Sequence, residues 1–293
     1  MELHRHGLEI GPFDLFGLTI NPTFHFYGLL IVGGILLATM LTSWMAKRDG
    51  KNPEHVWDGV LWVVVLAVIF ARGWHILFPS EAAVANGRTT AWYLSHPFDL
   101  HEGPLVIWSG GLSVFGAVLG GALGVLLYAR KHRLDVLAWM DIVVVTVPLG
   151  QAIGRWGNFV NEELYGKPTN LPWKLPIDNP PIEYADERYF HPLFLYESVW
   201  NFLTCGVLLF VWLRYRDRLK KGDFVLFYMV AYGTVRYLLE FLRIEVATKG
   251  GLNVSQLTSL SAAIVAALIL LYRHRAGLLA WLRRRIGGRS QTA

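Results

Sequence analysis

Seven runs of apolar residues punctuate the chain, near residues 24–45, 56–78, 105–129, 136–154, 192–213, 223–243 and 255–272. Each is long enough to cross about 30 Å of hydrocarbon at about 1.5 Å per residue. The pattern predicts an all-α, polytopic membrane protein with seven transmembrane helices, organised as a single transmembrane domain over residues 1–293. The joints between the runs are of two kinds. Short joints are basic: Lys47, Arg48 and Lys51; Arg130, Lys131 and Arg133; Arg214, Arg216, Arg218, Lys220 and Lys221. The longer joints, 79–104 and 158–190, are predicted to be an arm carrying Trp92, Tyr93 and Phe98 and a Pro- and Asn-rich cap carrying Trp173. Both are expected to be partly ordered at the membrane surface.

Charge sets the orientation. With Arg273, Arg275, Arg283, Arg284, Arg285 and Arg289 of the C-terminal tail, the basic joints hold most of the 27 Lys and Arg residues. The opposite side carries only scattered ones, such as Arg88, Lys167 and Lys249. By the positive-inside rule the N-terminus lies outside and the C-terminus in the cytoplasm, with a periplasmic arm and a periplasmic cap.

Composition agrees with the pattern. Of 293 residues, 54% are hydrophobic and 17% charged, too apolar and too sparsely charged for a soluble domain. The net charge of +5 sits in clusters suited to anionic headgroups, so no nucleic acid partner is expected. The single Cys205 lies in an apolar run and is read as core packing, so any thiol chemistry must come from a partner. The first twenty residues carry His4, Arg5, His6, Glu9 and Asp14 without a continuous apolar core, and no cleavable signal peptide is expected. Gly116, Gly120 and Gly124 on the third run, and Gly150 and Gly154 on the fourth, form small-residue faces for close helix packing. No cofactor and no metal site is expected.

Against this apolar background the polar residues gather at one depth. Arg72 lies roughly 24 Å up the second span and Arg236 roughly 20 Å up the sixth, counted from the inner side, while Arg155 and Arg243 sit at outer helix ends. His25, Tyr27, His75, His191, Tyr196 and Glu197 share that outer level. Tyr232, Arg236, Glu240 and Arg243 are spaced by four, four and three, which places them on one helix face. Intramembrane charge costs about 2.5 to 3.5 kcal/mol per residue on insertion scales and marks a functional candidate. Two readings stand for the stripe: an internal ion-pair ladder through Glu240, or a site for an external anion. These arginines outnumber the deep carboxylates, since Asp58 and Asp141 lie nearer the cytoplasm, so an outer-leaflet phospholipid phosphate is the natural missing charge.

At this point the residues resemble a known family. GRWGNFVNEELYG at 154–166 is similar to the signature G-R-x-G-N-F-x-N-x-E-x-x-G of the prolipoprotein diacylglyceryl transferases. FHFYG at 24–28, ARGWHILF at 71–78, WSGGLSVFGAVLGG at 108–121, HPLFLYE at 191–197, YGTVRYLLEFLR at 232–243 and SQLTS at 255–259 extend the resemblance in order. It implies an enzyme of the bacterial cytoplasmic (inner) membrane with its active site toward the outer leaflet. Such an enzyme moves the diacylglyceryl group of phosphatidylglycerol to the lipobox cysteine thiol of preprolipoproteins, with release of glycerol-1-phosphate. Its partners would be that lipid, the lipobox segment and the surrounding membrane lipids.

By resemblance, Arg155 and Arg236 take the phosphate and leaving group, while Tyr27, Asn158, Asn161 and Tyr232 position the headgroup. Glu163 and Glu240 orient the arginines, and Arg243 joins the substrate-binding set. One departure concerns the base: Phe115 occupies a position that is a histidine in many members and cannot accept a proton. Either His25 or His75 serves, or the arginine field alone lowers the thiol pKa. The competing class is an anionic-phospholipid transporter or flippase, which would be expected to show inverted repeats and a midplane site; no internal repeat is visible.

Overall fold

The structure is a computed structural model that describes residues 2–4, 7–9, 13–15, 18–20, 23–99, 102–107, 110–178, 180–244, 248–249 and 252–287. Arg5, His6, Trp108, Ser109 and Arg289, named above, lie outside these. The fold is mostly helical: α1 (Phe26–Arg48), α2 (Glu54–Leu77), α3 (Glu81–Ala85), α4 (Thr90–Ser95), α5 (Val114–Lys131), α6 (Val136–Val160), α7 (Leu193–Tyr215), α8 (Asp223–Glu240) and α9 (Val254–Gly287). Among the described residues, five helices are long and apolar enough to cross a membrane: α1, α2, α6, α7 with its 3-10 extension to Arg218, and α9 up to Gly277. The helices α5 and α8, at 18 residues each, are shorter. The chain is a multi-pass membrane protein, and its long helices turn apolar faces outward, as Leu29, Val32, Leu36 and Met40 do along α1.

The all-α expectation needs one amendment. Short antiparallel strands flank the helices, pairing Glu2–His4, Gly7–Glu9 and Thr23–His25 in one sheet and Leu175–Pro176 with Tyr189–Phe190 in the cap.

Two compact units are distinguished, with boundaries inside α1 and α6: residues 42–139, and residues 1–41 together with 140–293. In the first, α2 and α5 pack through the expected glycine face. A Cβ on Gly116 or Gly120 would run into the backbone carbonyls of Phe70 and Leu66, and one on Gly124 would lie 2.9 Å from the Val63 Cα. The third apolar run was expected to be helical from residue 105, but α5 begins only at Val114. The preceding loop turns through Gly110 and Gly111, both at positive φ (+92° and +69°). Its carbonyls are spent on Arg72: Nε donates to Pro104 O (2.9 Å), Nη1 to Gly110 O and Gly111 O (3.0 and 3.2 Å), and Nη2 to Gly103 O (2.7 Å). Buried Arg72 is therefore a staple for a loop, which corrects its reading as one of the anion-seeking arginines. Tyr93, expected at the interface, is likewise buried, with its hydroxyl 3.2 Å from His75 Nε2, whereas Phe98 is exposed.

In the second unit, Gly34 of α1 lies against the Gly150 carbonyl of α6, while a Cβ on Gly154 would meet nothing, so only the first glycine of that pair packs a helix. The indole of Trp200 on α7 donates to Ala231 O of α8 (3.1 Å), and Gly233 of α8 brings that helix onto Ser259 and Ala263 of α9. At the N-terminus of α8, Asp141 accepts from the backbone N–H groups of Gly222 and Phe224 (2.6 and 3.1 Å), satisfying donors that the helix itself leaves unpaired. Asp223, fully buried, takes Arg273 Nε at 2.8 Å and His274 Nε2 at 2.6 Å. Cys205 is buried in α7, as expected for core packing. Two helices end differently from the sequence pattern: α6 runs on to Val160, so the first seven residues of 154–166 are helical, and α8 stops at Glu240 rather than 243.

Candidate active site

In the second unit α6, α7, α8, the start of α1 and the cap converge on one polar group. Arg155, on the penultimate turn of α6, donates through Nη2 to Glu197 Oε1 of α7 at 2.5 Å and through Nη1 to Asn158 Oδ1 at 3.3 Å. Asn158 passes its own amide to Glu163 Oε1 at 2.8 Å. Tyr232 of α8 lies beside the Arg155 side chain, in the fields of both Arg155 and Arg236. Arg155, Glu197, Tyr232 and Asn158 thus form a connected network drawn from three helices.

The stripe on α8 is closed by one carboxylate. Glu240, with its side chain fully buried, accepts from Arg236 Nη2 at 3.2 Å and sits 3.7 Å from Arg243 Nη1. Two guanidinium groups share it, and its Oε1 has no partner. Three arginines therefore face two buried carboxylates, Glu197 and Glu240. Two further acids lie close by: Glu163, exposed and engaged with an amide rather than with a guanidinium, and half-buried Glu162.

The cap is pinned at the end of the signature. Gly166 N donates to His191 O (2.9 Å) and Lys167 N to Leu242 O (2.7 Å), and Gly166 pairs with Arg243 as an isolated bridge. A Cβ at Gly166 would lie 2.8 Å from Leu242 O and 2.9 Å from His191 Cβ. The chain reaches this clamp through two non-glycine residues at positive φ, Glu162 (52°) and Leu164 (57°), which flank Glu163. A cavity of about 300 Å³ opens here, with Glu162, Glu163, Arg243 and Tyr165 on its wall. His191, outside the helices, hydrogen-bonds through Nδ1 with Tyr196 OH (3.1 Å), and burial pushes its pKa below the usual imidazole value.

Tyr27 packs its ring against Gly157, where any Cβ would collide with it, and feels the charges of both Glu163 and Arg155. Asn161 is exposed, with no side-chain hydrogen bond to another described residue. His25 is exposed at the end of a strand paired to Gly7. His75 belongs to the other unit, where its ring packs on Tyr93 and the Gly111 turn; Phe115, in the same unit, is 71% exposed. Glu163 was expected to orient an arginine; Glu197 does so for Arg155, and Glu163 holds Asn158. Glu197 was visible as an ionisable residue at membrane depth, the signal that would have promoted it.

The chain that carries this arrangement is matched over most of its length by a family model. The model for prolipoprotein diacylglyceryl transferase aligns with residues 15–272. The chain belongs to the prolipoprotein diacylglyceryl transferase family. It is 37% identical to a relative from Synechococcus elongatus over 97% of this chain and 93% of the relative. It is 38% identical to one from Gloeobacter violaceus over 85% and 88%, and 35% identical to one from Chloroflexus aggregans over 90% and 88%. Each of these carries the name phosphatidylglycerol--prolipoprotein diacylglyceryl transferase.

Proposed function

We propose that the chain transfers the diacylglyceryl group of phosphatidylglycerol to the lipobox cysteine thiol of a preprolipoprotein and releases glycerol-1-phosphate, the first step of bacterial lipoprotein maturation. The observation that carries the reading is the gathering of three arginines in one unit, Arg155 paired with Glu197, and Arg236 and Arg243 sharing the single buried carboxylate of Glu240, with Arg243 on the wall of a headgroup-sized cavity.

Arg155 and Arg236 bind the phosphate, each guanidinium offering planar paired donors. Tyr27, Asn158, Asn161 and Tyr232 position the glycerol headgroup; Glu163 holds Asn158, and Glu240 holds Arg236 and, at the cavity wall, Arg243. In the reaction the cysteine sulfur forms a bond to the glyceryl methylene, the carbon–oxygen bond to phosphate breaks, and the thiol proton passes, in net balance, to the departing phosphate monoester. The arginines favour the thiolate in the approach and take up the charge on the leaving oxygen in the transition state. His25 is the imidazole of this unit to which the base is otherwise assigned; His75, the other candidate, belongs to the other unit.

For the membrane frame we propose one transmembrane domain of seven spans, α1, α2, α5, α6, α7, α8 and α9. The N-terminus is outside and the C-terminus cytoplasmic, with residues 79–104 and 158–190 as periplasmic arm and cap. The bacterial inner membrane is the expected location, with the site at the outer leaflet.

Purified protein incubated with phosphatidylglycerol and a lipobox peptide is expected to add a diacylglyceryl mass to the peptide, with Arg155→Ala slower by about a hundredfold or more. The reading fails if no mass is gained. Lipid movement across liposomes without any product would instead favour a transporter.

A further inference from the structure

One helical turn beneath the arginine network lies a second polar layer that the reaction as described does not use. Gln151 precedes Arg155 by four residues on α6, Tyr228 precedes Tyr232 by four on α8, and Asn201 follows Glu197 by four on α7. Each pair shares a helix face, so three helices turn a second set of polar groups toward the same interior, about 6 Å further along their axes. The layer is only partly satisfied within the protein. Gln151 Nε2 donates to Tyr228 OH at 2.8 Å, and the Tyr228 ring stacks on Tyr232 at 5.7 Å between centroids, with 16° between planes. The Gln151 carbonyl oxygen is buried without a partner, and so is the Nδ2 amide of Asn201, a residue only 1% exposed.

A purely structural layer would be saturated or replaced by apolar side chains, because an unpaired buried polar group costs about 1 to 3 kcal/mol. What it has to spare includes donors: the Asn201 amide, and the Tyr228 hydroxyl proton, whose oxygen already accepts from Gln151 and is polarised by doing so. Tyr228 and Gln151 are only partly buried, so an entering group meets them before Asn201. The matching ligand is an uncharged acceptor carried a few covalent bonds below an anion held by Arg155 and Arg236. On the transferase reading, on which this inference rests, the glycerolipid ester carbonyls have that chemistry and that depth.

We propose that Tyr228 and Asn201, with Gln151 orienting the Tyr228 hydroxyl, form the seat for an ester carbonyl of the diacylglyceryl group. The seat fixes the transferred group while the arginines hold the leaving group, and it distinguishes diacyl from dialkyl lipid.

The test compares short-chain diacyl phosphatidylglycerol with its dialkyl ether analogue, which keeps the headgroup and lacks the carbonyls. Binding to the full-length protein in lipid nanodiscs is measured by competition, and peptide lipidation is followed in parallel. Wild type is expected to bind the diacyl lipid about fivefold to tenfold more tightly than the ether, as for one or two neutral hydrogen bonds. Tyr228→Phe and Asn201→Leu are each expected to bring that ratio toward one by weakening the diacyl lipid alone. Equal binding of the two lipids by wild type overturns the proposal without recourse to any variant, and so does a full preference retained in both variants. If the diacyl lipid binds with the expected preference but no peptide product forms, the transferase reading fails and the carbonyl seat stands.

Discussion

Glu197 shows what a single side chain contributes to this site. It is almost fully buried, 2.5 Å from Arg155, and its charge compensates a guanidinium that would otherwise be desolvated with no anion beside it. Removing one member of such a pair leaves the other uncompensated and free to reorient, which is the expensive outcome. Glu197→Gln keeps the shape and removes the charge. It is expected to lower the lipidation rate by about a hundredfold while leaving the helical content of the purified protein unchanged, as read by circular dichroism. Sequence spacing made Tyr232, Arg236, Glu240 and Arg243 legible as one face, because four-residue steps on a helix are geometry that a sequence carries. The partner of Arg155 was not legible in the same way: it lies 42 positions away on another helix, and only the fold brings it close. Arg72 was misjudged for a related reason. Its depth resembles that of Arg236, but its partners are backbone carbonyls, which no side-chain pattern announces.

At the scale of elements, glycine separates two kinds of helix contact. On α5, Gly120 faces the Leu66 carbonyl with no room for a Cβ; on α6, Gly154 faces open space. Gly120→Ala is expected to force α2 and α5 apart and to cost about 1 to 3 kcal/mol, seen as a lowered midpoint of thermal unfolding in detergent. Gly154→Ala is expected to leave that midpoint unchanged or raise it, since alanine favours a helix interior by about 1 kcal/mol over glycine. The small-residue rule found both stripes, but periodicity alone could not tell a glycine that touches a neighbouring backbone from one that does not. Helix ends were the other weak point. The start of α5 was placed nine residues early because an apolar composition continues through a loop whose conformation is set by Gly110, Gly111 and the Arg72 clamp.

At the scale of the whole molecule, each of the seven hydrophobic runs overlaps a helix among the described residues, five of them long and apolar enough to cross a membrane. Their proposed arrangement across a bilayer can be checked directly, because Cys205 is buried and gives a low background to thiol labelling. In intact cells, a membrane-impermeant maleimide is expected to label Asn170→Cys in the cap, and Asp217→Cys only after permeabilisation. The reverse pattern would invert the proposed orientation.

The Arg72 clamp carries one more consequence, for how this chain can vary. A loop held by its carbonyl oxygens makes few demands on its exposed side chains, so Leu105 and Ile107 can drift among neutral replacements without loosening it, while fully buried Val106 is fixed by packing. The tether itself has no such latitude. Lysine at position 72 would bring a single nitrogen to a place where three guanidinium nitrogens now reach four carbonyls. Substitution libraries over this segment should therefore show exposed positions that tolerate change on either side of buried Val106, anchored by an intolerant residue more than thirty positions earlier in the chain.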